Sequence, residues 1–326
     1  MHTLITGGTG LIGTSMTAKL LAAGDTVTLF DRDPPTERIE RLRDAYPDRL
    51  DTVTGDILDV ELLASCVDTG DVDAIVHLAY ALGAESNADA PLATRVNVDG
   101  TVNVLELARR CGVRRVVMAS SIAVYGDDAA YPPDQLPLTE GVPLHTAAPL
   151  PVYAAGKIYL EKLAQHYRDQ HGLLVVGMRP SIIYGWGRRS GATSWLSALI
   201  ERPARGEPCH LDSGDALVSL VYVDDVAEQF IALLRANAAV FTDTFFFNTG
   251  GDTCRVGEAA EVVRRLLPDA RIEVTGDGER NVHGLAASVS DEAMRRVVGH
   301  ERRFTPLEVA FSDYIETVRA EMEVPT

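Results

Sequence analysis

Tyr153-Ala-Ala-Gly-Lys157 places a phenol and an ammonium four residues apart, hence one turn apart on one face of a helix. A free tyrosine ionises near pH ~10 and is a poor base at neutrality, so it needs a neighbouring cation; each tenfold gain in phenolate takes ~1.4 kcal/mol of favourable interaction. Lys157 supplies that cation, in a chain whose only lysines are Lys19, Lys157 and Lys162. Upstream, Val116-Val117-Met118-Ala119-Ser120-Ser121 reads as a strand ending in hydroxyls, at the carboxyl edge where open α/β sheets bind ligands. Ser121 can hydrogen-bond a substrate oxygen while Tyr153 exchanges a proton with it. The carbon bearing that oxygen must then give or take a hydride, which calls for a carrier.

A place for the carrier lies at the start of the chain. Thr6-Gly7-Gly8-Thr9-Gly10-Leu11-Ile12-Gly13 follows a strand-like run and opens a helix-like one. Glycines at 7, 10 and 13 allow a tight turn and close backbone approach, so that a pyrophosphate can sit on free amides at the positive helix end. About 20 residues further on, Phe30-Asp31-Arg32 closes a second strand, where the Asp31 carboxylate can accept from ribose hydroxyls. The same carboxylate repels a 2′-phosphate and favours NAD over NADP, and Arg32 partly offsets that repulsion.

These motifs need a scaffold that brings strand ends together. Strands are expected near 2–6, 26–30, 51–54, 73–78, 115–120 and 173–178, alternating with amphipathic helices near 11–23, 59–66, 91–111 and 153–171. This alternation predicts an α/β fold, a Rossmann-type doubly wound parallel sheet with a smaller mixed α/β substrate domain. Residues 1–180 form the NAD-binding part, joined by some of 216–250, and 181–326 mainly the substrate-binding region. Within the second part, helix-like residues 194–200 and a strand over 216–223 come first. Asp224 is a candidate N-cap for a helix through Arg235, and residues 244–248 read as another strand.

Composition narrows the function classes. The 326 residues are 46% hydrophobic and 24% charged, enough to bury a large core. A net charge of −17 argues against a nucleic-acid partner. No stretch reaches the ~20 apolar residues that cross a bilayer, and Met1 runs into a strand without a basic leader. The cysteines Cys66, Cys111, Cys209 and Cys254 are scattered, with no metal-ligand spacing, which suits a reducing cytoplasm.

Taken together, Gly7-x-x-Gly10-x-x-Gly13, Asp31, Gly55-Asp56-Ile57, His77-Leu78-Ala79, Asn97, Ser120-Ser121, Tyr153-x-x-x-Lys157 and Arg179-Pro180 resemble the extended short-chain dehydrogenase/reductase family. Tyr222-Val223-Asp224-Asp225-Val226-Ala227 and Phe247-Asn248-Thr249-Gly250-Gly251 resemble its epimerase/dehydratase branch. The resemblance implies that Asp56 and Ile57 flank the adenine, that Leu78 and Ala79 line the cofactor and that Asn97 supports the active-site helix. It makes Ser121, Tyr153 and Lys157 the catalytic group, with the peptide from Pro180 through Ile182 cradling the carboxamide. Substrate contacts fall to Ser121, Tyr153, Arg189 and Arg280, although Asn281-Val282-His283-Gly284 departs from the Pro-Gly-Asp that follows the corresponding arginine in the family. The 4,6-dehydratases carry Thr-Asp-Glu where this chain has Ser121-Ile122-Ala123, so water elimination is not expected.

The resemblance thus implies an NAD-dependent sugar-nucleotide epimerase working through a keto intermediate, at carbon 4 of a UDP-sugar, assembled as a homodimer through the helices near 91–111 and 153–171. A net dehydrogenase or ketoreductase of a free sugar, sugar acid or secondary metabolite is the alternative. A non-catalytic dinucleotide sensor on the same sheet is the third reading.

Overall fold

Short apolar runs rich in Val and Ile become the strands of a buried sheet. The computed structural model describes residues 1–67, 71–82, 86, 88–144, 151–188, 193–275 and 285–323. Its first strands are β1 (His2–Thr6), β2 (Thr26–Asp31), β3 (Leu50–Thr54), β4 (Ala74–His77), β5 (Arg115–Ala119) and β6 (Leu174–Arg179). Ile5, Ile75, Val76, Val116, Val117, Val175 and Val176 are wholly buried, as expected of strands covered on both faces. Each such side chain contributes about 1.5–3 kcal/mol of burial.

The strands run parallel in the order β10-β6-β5-β4-β1-β2-β3, with β10 (Phe246–Asn248) returning from the second half of the chain to pair with β6. Strand order reverses between β1 and β4, and it is outside the carboxyl ends at such a switch point that open α/β sheets bind ligands. The glycine turn after β1, the 78–81 loop after β4 and the serines after β5 all emerge on this edge.

Helices α1 (Leu11–Ala22), α2 (Glu37–Ala45) and α3 (Val60–Ser65) alternate with the early strands. Then α4 (Ala90–Thr94) continues through a π turn at Arg95–Asp99 into α5 (Gly100–Cys111), and α6 is Val152–His171. Helix α2 is mostly charged and fully buries only Ile39, with Leu42 and Tyr46 packing partly buried on the same core at helical spacing. Thr36 starts it by accepting the Ile39 N–H at 3.3 Å.

Beyond β6 lie β7 (Ile182–Tyr184), α7 (Trp195–Ala204), β8 (Cys209–Leu211), β9 (Leu217–Tyr222) and α8 (Val223–Arg235), and then, past β10, β11 (Asp252–Arg255), α9 (Val256–Leu266), β12 (Ile272–Val274) and α10 (Leu307–Glu323). A three-stranded sheet β11-β9-β7 and the pair β12-β8 pack with α7, α9 and α10 around Tyr184, Leu199, Phe311 and Tyr314. Asp224 is not the N-cap of α8: Tyr222 takes that place, because β9 passes into the helix without a loop. Asp224 sits in the first turn instead, where it accepts the Ser15 hydroxyl at 2.6 Å and pairs with Lys19 at 3.3 Å, fastening α8 to α1.

Candidate active site

The glycine turn is closed by backbone geometry that side chains would block. Gly7 has φ 71°, and a Cβ there would lie 2.6 Å from the Ala79 nitrogen. A Cβ on Gly13 would come within 2.5 Å of the Gly8 carbonyl, so glycine lets α1 press against the turn. Gly10 is the N-cap of α1 and no side chain caps that end, which leaves the first-turn amides free of a side-chain partner at the ligand-binding edge of the sheet. The Thr9 amide and hydroxyl both donate to Asp31 Oδ2, at 3.0 and 2.8 Å. A carboxylate is thereby anchored beside an uncapped helix end, and together they fit the two ends of an adenosine diphosphate.

Other cofactor candidates line the same edge. Leu78 and Ala79 follow β4, with the Leu78 N–H donating to the Thr6 carbonyl at 2.9 Å. Asp56 accepts the Leu58 N–H at 2.9 Å, and Ile57 is buried beneath Gly100. Leu11 packs on the core of the second region and Ile12 on the sheet core. Arg32 is exposed and pairs with Asp33 at 3.7 Å. The Pro180 carbonyl accepts the Ile122 N–H at 3.1 Å, and the Ser181 N–H donates to the Thr249 hydroxyl at 3.0 Å, so the turn leading to Ile182 is held from two sides.

Asn97 differs from the expectation. The π turn carrying it packs beside α6, yet its amide group bonds the loop after β4: Oδ1 accepts the Ala81 N–H at 2.7 Å and Nδ2 donates to the Ala81 carbonyl at 3.2 Å. Its direct support is given to that loop. Arg189 and Arg280 lie outside the described residues.

The two serines have separate surroundings. Ser120 is buried and its hydroxyl donates to Glu161 Oε1 at 2.6 Å. Ser121 is half-buried, accepts the Ala123 N–H at 3.1 Å and lies near enough to the Tyr153 phenol to favour its ionised form. The Lys157 ammonium donates to the Ala119 carbonyl at 2.7 Å, one residue before the serines. Ser121, Tyr153 and Lys157 therefore converge at the end of β5.

Electrostatics in this cluster depart from the simple pairing of phenol and lysine. Burial pushes the Tyr153 phenol above its ordinary value, opposed by the Ser121 hydroxyl and the charge of Arg188. Arg188 thus adds a second cation to the surroundings of the phenol, beside Lys157. It is itself held by Thr193, at 2.6 Å, and by the Ile183 carbonyl. Lys157 is pulled down to about 7 by burial, against the opposing charge of Glu161. Its Nζ lies 3.3 Å from the ring centroid of Tyr80 and 5.7 Å from that of Tyr153.

His77, at the end of β4, is fully buried and lowered to about 3, first by burial and then by Lys157, so it is neutral. Its tautomer follows from its neighbours. The Thr101 hydroxyl donates to the Asn97 carbonyl at 2.6 Å, so it accepts from His77 Nε2 at 2.9 Å. Nδ1 then accepts from the Thr6 hydroxyl at 2.7 Å. The ring thus ties β1 to α5 beneath the site. Tyr80, Arg188 and Glu161 are site neighbours that the sequence motifs do not point to; only the Glu161 spacing, one turn after Lys157, carries a local signal.

The fold agrees with what known proteins show. Residues 3–246 match the NAD dependent epimerase/dehydratase family, and the chain belongs to that family. It is similar to a UDP-glucose 4-epimerase of Mycolicibacterium smegmatis, 34% identical over 83% of this chain and 81% of the relative. A UDP-glucuronate 4-epimerase of Arabidopsis thaliana is 30% identical over 72% of this chain and 55% of its own length. Among solved structures, a Thermus thermophilus UDP-glucose 4-epimerase in complex with NAD superposes with a TM-score of 0.78 at 25% identity, covering 98% of this chain and 99% of that one. The protein is an NAD-dependent oxidoreductase of the extended short-chain type, with an epimerase-like architecture.

Proposed function

We propose that the protein is a 4-epimerase of a UDP-sugar, oxidising the substrate at carbon 4 and reducing the resulting ketone from the other face. The convergence of Ser121, Tyr153 and Lys157 at the end of β5, beside the uncapped α1 terminus, carries this reading. The epimerase relatives cited above support the substrate class.

Bound in its cradle, NAD would supply the acceptor and donor of a hydride at carbon 4. The chain's own residues handle the proton and the geometry. Ser121 hydrogen-bonds the 4-oxygen and orients it toward Tyr153. Tyr153 takes the hydroxyl proton during oxidation and gives it back during reduction, with Arg188 favouring the phenolate. Lys157, anchored on Ala119, places a second positive charge on the same side of the pocket. Gly7, Gly10, Leu11, Ile12, Gly13, Asp31, Arg32, Asp56, Ile57, Leu78, Ala79, Asn97, Pro180 and Ile182 form the cofactor cradle, with Asn97 acting through the Ala81 loop. The part of 181–326 outside the large sheet holds the sugar nucleotide, with Arg189 and Arg280 as substrate contacts.

A homodimer fits the exposed apolar side chains on the helices over 90–111 and 152–171, where Leu92, Val152 and Tyr159 face outward. The free cysteines suit a cytoplasmic setting. No helix among the described residues is long and apolar enough to cross a membrane.

Purified protein without added cofactor should interconvert UDP-glucose and UDP-galactose or UDP-glucuronate and UDP-galacturonate. Tyr153→Phe should lower kcat by about 10²–10⁴, the usual worth of a positioned acid–base group. A net absorbance change from added cofactor, with no epimer formed, would instead establish the dehydrogenase reading.

A further inference from the structure

Tyr80 occupies a place no other part of the site explains. It follows His77-Leu78-Ala79 at the switch-point edge, and its ring lies face-on to the Lys157 ammonium, 3.3 Å from Nζ to the centroid. The same ring meets Tyr153 edge-on, with centroids 5.5 Å apart and planes at 90°. Its hydroxyl is buried against α6 at Gly156, where a Cβ would come within 2.6 Å of Oη. Glycine between the phenol and the lysine thus lets an aromatic ring lie along the helix face that carries both.

We propose that Tyr80 is a positioning residue whose ring face keeps the buried Lys157 ammonium charged and directed along α6 toward Tyr153. This rests on the acid–base assignment of Tyr153 and Lys157 given above. A cation taken out of water must recover its lost hydration, and Lys157 is 3% exposed. One donor goes to the Ala119 carbonyl, and the π face of Tyr80 supplies electrostatic stabilisation that a desolvated cation values highly.

The other groups bearing on Lys157 are accounted for. Glu161, one turn later on α6, favours the charge, but its oxygens are engaged by Ser120 and Arg179. His77 on β4 is neutral, Arg188 acts on Tyr153 from the loop after β7, and the Tyr153 phenol is influenced by Ser121. No other acid is placed among these described neighbours to hold the charge, so removing the ring should be felt directly at Nζ.

With only three lysines, ¹³C-lysine labelling of the purified protein gives a three-signal spectrum in which Lys157 Cε can be followed against pH. Lys157→Met identifies its signal. Tyr80→Leu should lower the Lys157 midpoint by about one pH unit, whereas Tyr80→Phe, which keeps the ring, should leave it within about 0.3 unit. Progressively fluorinated phenylalanines at position 80 hold shape while weakening the π face, and should lower the midpoint step by step even if Tyr80→Leu fails to fold. An unchanged midpoint in Tyr80→Leu, or no trend across the fluorinated series, would overturn the proposal. This readout needs no substrate, so a protein inactive on UDP-sugars but showing the trend would fail the substrate assignment and retain the role of Tyr80.

Discussion

The Ser120 hydroxyl donates to Glu161 Oε1 at 2.6 Å, and that bond ties the end of β5 to the helix carrying Tyr153 and Lys157. Arg179, closing β6, grips the same carboxylate with Nε at 2.9 Å and Nη2 at 2.7 Å, and both members of the pair are 8% exposed. Its Nη1 reaches the Tyr125 hydroxyl at 2.7 Å, and that hydroxyl donates to Asn248 on β10 at 2.9 Å. Two adjacent serines thus divide the labour: one is spent on framework, the other faces Tyr153.

Glu161→Gln should destabilise the protein by about 3–5 kcal/mol, since it leaves a buried guanidinium without its counter-charge. Urea unfolding measures this. Glu161→Gln combined with Arg179→Met should recover a large part of the loss, because the orphaned charge is gone. A double variant as unstable as the sum of the two single ones would show that the pair is not coupled.

Lys157 makes stability depend on pH in a definite direction. Its folded value, about 7, lies below the ordinary 10.5 of an unfolded lysine. Between those values the unfolded chain binds the extra proton, so stability rises with pH across pH 7–10.5, and the burial cost is felt in full below about pH 7. Lys157→Met removes this cost. The Tm difference, variant minus wild type, should therefore be more positive at pH 6 than at pH 9.5 by scanning calorimetry; equal differences would contradict the assignment.

Arg188→Met should move the acidic limb of kcat/KM to higher pH. Removing the cation disfavours the Tyr153 phenolate, so the phenol holds its proton to higher pH and the base form is lost sooner as pH falls. A profile displaced to lower pH, or not at all, would remove Arg188 from the proton chemistry.

Much of the site is legible locally, and the reason is geometric. Gly10 and Gly13 act through steric clearance within the turn itself, Gly7 adds a positive φ, and Tyr153 and Lys157 share a helix face because they are four apart. The parallel sheet and its ligand-binding edge follow from alternating apolar runs. What escapes is long-range. Tyr80 meets Lys157 across 77 positions, and Arg188 acts on Tyr153 from the loop after β7, 35 positions on. Helix α2 escapes for a different cause, its short apolar stripe of Ile39 and Leu42 being set among six charged residues. Asp224 misleads because acidic residues favour both the N-cap and the first turn, and only the strand-to-helix junction at Tyr222 separates them.

Asp31→Ala should reduce the preference for NAD over NADP at least tenfold, with affinity for NAD itself falling. The substitution deletes the acceptor fixed by Thr9 and the negative charge that opposes a 2′-phosphate. Titration of the apoprotein with each dinucleotide gives both numbers, and an unchanged ratio would place the adenosine elsewhere.

The decisive measurement is the fate of deuterium at carbon 4. Starting from UDP-[4-²H]glucose or UDP-[4-²H]glucuronate, the wild-type protein should yield the epimer with deuterium retained at carbon 4 and none released to water, and Tyr153→Phe should slow that conversion by about 10²–10⁴. Epimer formed with deuterium washed into solvent would show that carbon 4 is inverted through a proton rather than a hydride, and would contradict the mechanism assigned to Ser121, Tyr153 and Lys157.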